Sequence, residues 1–98
     1  MINERRLIMS NIKPLSKQIA QYAIDGYIAN AKSDEPDIIV ISDDELMAAI
    51  PALSHNLLSA CFDYLAEKKI IKAADTEKYG SGAIRLSLAT AVDFVETD

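Results

Sequence analysis

Residues 41–73 read ISDDELMAAIPALSHNLLSACFDYLAEKKIIKA, and three local signals in them set the architecture. Ser42-Asp43-Asp44-Glu45 has the form of a capping box. The Ser42 hydroxyl can accept from the backbone N–H three residues on while Glu45 reaches back, and the acids suit the positive end of a helix. That helix carries Leu46, Met47 and Ile50 inward and stops at Pro51, because a residue before proline is pushed out of the α region. Leu53-Ser54 supplies the next cap. Leu57, Leu58, Cys61, Phe62, Leu65 and Ala66 then recur at three- and four-residue steps, which predicts a helix over 55–68. Ile70 to Ala74 follows as an extended segment.

Upstream, Ile19, Ala20, Tyr22, Ala23, Ile24, Tyr27, Ile28 and Ala31 keep helical spacing, and Pro14 fits a first turn, so the spacing predicts a helix over 14–32. Gly26 inside it has two readings, room for a close approach of another backbone or a glycine simply tolerated at a cost of up to about 1 kcal/mol relative to Ala. Ser33 to Asp37 reads as a loop, and Ile38-Ile39-Val40-Ile41, four β-branched residues between turn formers, as a short buried strand. Downstream, the polar stretch Asp75–Gly82 precedes Ile84-Arg85-Leu86-Ser87-Leu88, which alternates apolar and polar and predicts the second strand of a hairpin with a long tip. Residues 89–98 fit either a strand extension or a short helix capped by Thr90.

Helix, strand, short helix, turn, longer helix and hairpin is an order that resembles the winged helix-turn-helix superfamily, and the resemblance covers roughly residues 15–90. It is carried by the strand and capped "DDEL" helix, the turn Pro51-Ala52-Leu53-Ser54, the helix opening on Ser54-His55-Asn56, and "DYLAEKKII" leading into a wing. The expected fold class is mainly α with a small β-hairpin (α+β), three helices plus a two- to three-stranded wing. The expected organisation is one domain over 1–98, with its core at about 15–90, an N-terminal arm at 1–13 and a C-terminal tail at 91–98. The superfamily usually has glycine where Lys69 stands. The resemblance implies that helix 55–68 enters a major groove of duplex DNA with Ser54, His55, Asn56 and Ser59 at its reading end. It also implies phosphate contacts from Lys72, Lys78, Tyr79 and Arg85 on the wing and from Lys13 and Lys17 on the flank. The same stretch holds Ala60 where many relatives place a basic residue, and it has no arginine for guanine.

Composition bounds these expectations. The chain has 98 residues, half of them hydrophobic, with 15 Asp+Glu against 10 Lys+Arg for a net charge of −5. That length closes one core, and the scarcity of Gly and Pro argues against low-complexity disorder. The charge falls in blocks. Residues 1–32 are net positive, residues 33–67 hold eight acids and no Lys or Arg, residues 68–90 are net positive again, and the tail is acidic. The acid block suits a phosphate backbone poorly. One cysteine and one histidine make neither an internal disulfide nor a zinc site, and the acids lack the spacing and central glycine of a calcium loop. Nothing pairs a nucleophile with a base or cradles a phosphate, so neither an enzyme nor a cofactor nor a metal is expected. The N-terminus lacks the pattern of a signal peptide, and no run approaches the roughly 20 apolar residues of a membrane span, which makes a cytoplasmic protein with no membrane partner the expectation.

Two functions follow as expectations. The first is a small transcription or replication regulator that binds double-stranded DNA as a homodimer, paired through the first helix and the tail. The second is an acidic winged-helix interaction module, such as a phage-encoded inhibitor or adaptor, that docks a basic protein partner on Asp43, Asp44, Glu45 and Asp63 and does not read DNA. Several residues also have simpler readings. His55 and Asn56 fit exposed or capping positions, Cys61 a small core residue, and Tyr22 and Tyr27 core or dimer-interface positions.

Overall fold

A computed structural model describes the backbone of residues 4–97 and the side chains from Asn11 onward. The element order is α1 (Glu4–Ala29), β1 (Ile38–Val40), α2 (Asp43–Ala49), α3 (His55–Glu67), β2 (Ile71–Ala73), α4 (Thr76–Tyr79), β3 (Ala83–Leu86) and α5 (Leu88–Glu96). The fold is α+β and mainly helical, with one three-stranded antiparallel sheet in the order β1-β3-β2. No helix among the described residues is long and apolar enough to cross a membrane.

The serine caps form as the sequence predicts, but Glu45 does not reach back to Ser42 N–H, since its carboxylate accepts from the Tyr22 hydroxyl instead. Ser42 Oγ accepts from Glu45 N–H at 3.0 Å and Ser54 Oγ from Leu57 N–H at 3.3 Å, and α2 stops before Pro51. The C-terminus of α3 closes as a Schellman motif: Ile70 N–H donates to Leu65 C=O at 2.9 Å and Lys69 N–H to Ala66 C=O at 3.0 Å. Lys69 stands in the left-handed conformation, φ 62°, at the position where glycine was expected by resemblance. Ile70, 1% exposed, and Leu65, fully buried, supply the apolar residues that accompany such an end.

Four further expectations are corrected. Among the described residues five helices form rather than three. The arm does not stand apart, because residues 4–13 are already helical and Pro14 lies inside α1 instead of opening it. Pro14 is exposed, and without an N–H it makes no bond to the preceding turn of α1. Residues 1–3, Asp98 and the side chains of Arg5 and Arg6 lie outside the described residues. The hairpin tip contains α4, where Asp75 Oδ1 accepts from Glu77 N–H at 2.9 Å. Finally, the alternation read through Leu88 ends at Leu86, and the tail is helix α5, preceded by Ser87 rather than capped by Thr90.

The core gathers Leu15, Ile19, Ala23 and Ile24 of α1, Leu46, Leu58, Cys61 and Leu65 of the α2–α3 pair, the sheet's Ile39, Ile71 and Leu86, and Ala91 of α5. Tyr22 and Tyr27 are half-buried against it. Gly26 explains how α1 lies so close to β1, because a Cβ there would sit 3.2 Å from Ile39 Cγ2. Gly82 is tighter still. Its φ is 83°, and a Cβ would come within 2.7 Å of the Ile41 carbonyl oxygen, whose residue bonds the Gly82 carbonyl through its N–H at 3.2 Å.

Candidate functional site

Helix α3 and the β2–β3 hairpin enclose one face of the molecule. His55, Asn56 and Ser59 are exposed along the first turns of α3, while Ser54 spends its hydroxyl on the cap. One turn further the same face carries Asp63, then Glu67, and no cation precedes Lys68. The proposed reading end of the helix is therefore polar and acidic.

The proposed phosphate contacts are mostly occupied within the chain. Arg85 Nη1 donates to Asp37 Oδ2 at 2.7 Å, and its Nη2 lies 3.8 Å from Glu35 Oε1. The Asp37 carboxylate holds the guanidinium above its ordinary pKa. Tyr79 donates its hydroxyl to Glu35, with both carboxylate oxygens within 2.8 Å. Lys78 lies 5.1 Å over the Tyr79 ring, whose hydroxyl raises the ammonium above its ordinary pKa with Glu35 adding to the effect. Lys17 donates to the Thr97 carbonyl and stands 5.8 Å from the Phe94 ring centre, which ties α1 to the end of α5. Lys13 is exposed on α1. Lys72 is exposed on β2, directly opposite Arg85 in the sheet register.

The acidic set divides. Glu45 accepts from the Tyr22 hydroxyl at 2.7 Å, which fastens α2 to α1 and keeps the phenol protonated to higher pH than usual. Asp43 and Asp44 are exposed at the start of α2. Asp43 and Asp63, twenty positions apart in sequence, both line one groove of about 290 Å³ between α3 and the hairpin. Its floor is apolar: Phe62 and Ala66 from α3, Ile71 and Ala73 from β2, and Ile84 from β3, with Lys72 as the one cation on its lining. These floor residues were legible in sequence only as core positions. Nothing in their spacing shows that Phe62 and Ile84 stay half-exposed where the sheet extends past the helix.

A second cleft shares Ala66, Ile71 and Lys72 with the first and continues to Lys69, Ile70 and Arg85. No cluster of three or more His, Cys, Asp or Glu with metal-binding geometry occurs among the described residues. Comparison with protein-family models, with curated proteins and with solved structures finds no match to this chain.

Proposed function

We propose that the chain is a winged-helix domain working as a protein-interaction module, with the groove between α3 and the β2–β3 hairpin as its docking surface. The element order from α1 to β3, with β3 at the centre of the sheet, supports the winged-helix reading. The observation that carries the function is the groove itself, an apolar floor rimmed by Asp43 and Asp63. Such a surface suits a partner segment that brings apolar side chains and a Lys or Arg, since burial supplies affinity and complementary charge supplies orientation. The occupation of Arg85, Lys78 and Lys17 weighs against phosphate as the ligand.

The test is selection of peptides from a displayed random library on the intact chain. The expected result is enrichment of apolar sequences with a basic residue, whose binding drops at least tenfold in an Asp43→Lys, Asp63→Lys double variant. Recovery of no such sequences, or binding indifferent to the charge reversal, overturns this reading.

Duplex DNA is the second reading, favoured by the exposed Lys68 and Lys69 after the C-terminal end of α3, by Lys72 on β2, and by the exposed polar residues His55, Asn56 and Ser59 in the first turns at the other end of the helix. A specific binder makes about six to ten phosphate contacts, so this reading requires the homodimer, which doubles the set. Binding to labelled random duplex at about 50 mM salt, lost steeply by about 200 mM, supports it, together with a dimer in sedimentation. No binding at the lower salt rejects it.

A further inference from the structure

We propose that the outer edge of β2 is a strand-docking site, on which an extended segment of a partner protein adds as a fourth strand with its inward side chains in the α3 groove. The inference rests on the groove reading above and specifies how the groove is filled.

The register decides which backbone groups of β2 are free. Ser87 N–H donates to Ile70 C=O at 2.8 Å and Ala74 N–H to Ala83 C=O at 3.1 Å, with Lys72 facing Arg85 between them. The backbone groups of Ile70, Lys72 and Ala74 therefore turn toward β3, and by the alternation of an antiparallel ladder those of Ile71 and Ala73 turn away from it. The sheet ends at β2, and none of these four N–H and C=O groups has a backbone partner among the described residues. Two donors and two acceptors at strand spacing are the template that strand addition uses.

The side chains around that edge match an extended occupant. The Ile71 and Ala73 side chains face the groove, where Ala66 and Phe62 lie beneath them, while Lys72 alternates toward the face it shares with Arg85 and only borders the groove. A strand laid about 4.8 Å from β2 places every second side chain over the apolar floor. Charge then sets its direction. Asp43 and Asp63 lie toward the Ala73 end, whereas Lys69, in the turn from α3, lies beside the Ile71 end. The occupant is therefore an alternating apolar segment with a cation at the end over Ala73 and a carboxylate at the end over Lys69. Lys72 at the middle of so short an edge opposes pairing with a second copy of β2, where two lysines would meet.

The experiment uses a peptide selected on the intact chain from the displayed library, fluorescently labelled, with three perturbations. Ala66→Arg fills the groove from an exposed helical position. Ala73→Pro removes an outward N–H that makes no bond to β3, a change that edge strands accommodate. N-methylation of alternate peptide amides blocks one hydrogen-bonding side of the occupant at a time. Strand addition is supported if Ala66→Arg abolishes binding, Ala73→Pro weakens it about tenfold, and one N-methyl phase weakens it about tenfold while the other has no effect. If Ala66→Arg abolishes binding but both N-methyl phases bind normally, strand addition is overturned and the groove reading stands. If Ala66→Arg has no effect, the groove reading fails and takes this inference with it. Should Ala73→Pro not fold, the N-methyl series alone decides.

Discussion

The guanidinium of Arg85 and the carboxylate of Asp37 sit 2.7 Å apart, joining the central strand to the loop before β1. Both side chains keep substantial exposure, so the attraction is open to screening by salt. Combining Glu35→Gln with Asp37→Asn frees Arg85 and removes two negative charges, of which Glu35 also acts on Lys78. The double variant is expected to elute from heparin at higher salt than the parent. Unchanged elution would mean that these carboxylates do not mask the cations.

Lys69 and Gly82 both hold positive φ and predict opposite outcomes. Lys69 gives up the glycine that a Schellman end favours, so Lys69→Gly is expected to stabilise the chain by about 1 kcal/mol in urea unfolding. Gly82→Ala adds left-handed strain and a methyl 2.7 Å from the Ile41 carbonyl oxygen. A loss of at least about 2 kcal/mol is expected. A stabilised Gly82→Ala would refute the geometry of the β1–β3 junction.

Ser16 is fully buried and its hydroxyl has no hydrogen-bond partner among the described residues. Burial of an unsatisfied hydroxyl costs free energy, so Ser16→Ala is expected to be neutral or to stabilise by about 1 kcal/mol. A clear destabilisation in thermal melts would show that the hydroxyl has a partner after all.

Cys61 is fully buried on α3, with its Sγ 3.8 Å from the Ile12 carbonyl oxygen. Burial pushes the thiol up, and the neighbouring Ser16 hydroxyl tempers this without making a well-formed hydrogen bond. Because the unfolded chain ionises first, stability is expected to fall as pH rises above about 8.5, and Cys61→Ala should remove that part of the slope. A thiol reagent at pH 8 should label the native protein only at the rate of opening. Instant labelling would place the thiol at the surface.

Local chemistry made much of this structure legible. The Ser42 and Ser54 caps, the stop at Pro51 and the apolar spacing of α3 locate the two central helices to within a residue. Pro14 misled, because proline suits a first turn, yet here it stands inside α1 at the cost of one backbone hydrogen bond and of crowding against the preceding turn. Leu88 misled because its alternation with Leu86 suits a strand, whereas packing of the tail against α1 takes it into α5. Pairings across distance were not legible at all. Nothing local in Glu35 and Asp37 points to Tyr79 and Arg85, and nothing in Asp43 points to Asp63. Those relationships exist only once the sheet register is fixed.

The central place of β3 also imposes an order of events. Ile39 pairs with Ile84, and Ala73 pairs with the same Ile84 from the other side, so neither outer strand has a hydrogen-bonded neighbour until β3 arrives. During synthesis the helices form from local contacts while β1 and β2 wait unpaired, and the slowest step is the late closure over everything between Ile39 and Ile84. In that interval two unpaired strands, the apolar β1 foremost, are exposed to other chains, which makes the emergence of the last quarter of the sequence the moment at which aggregation gives way to folding.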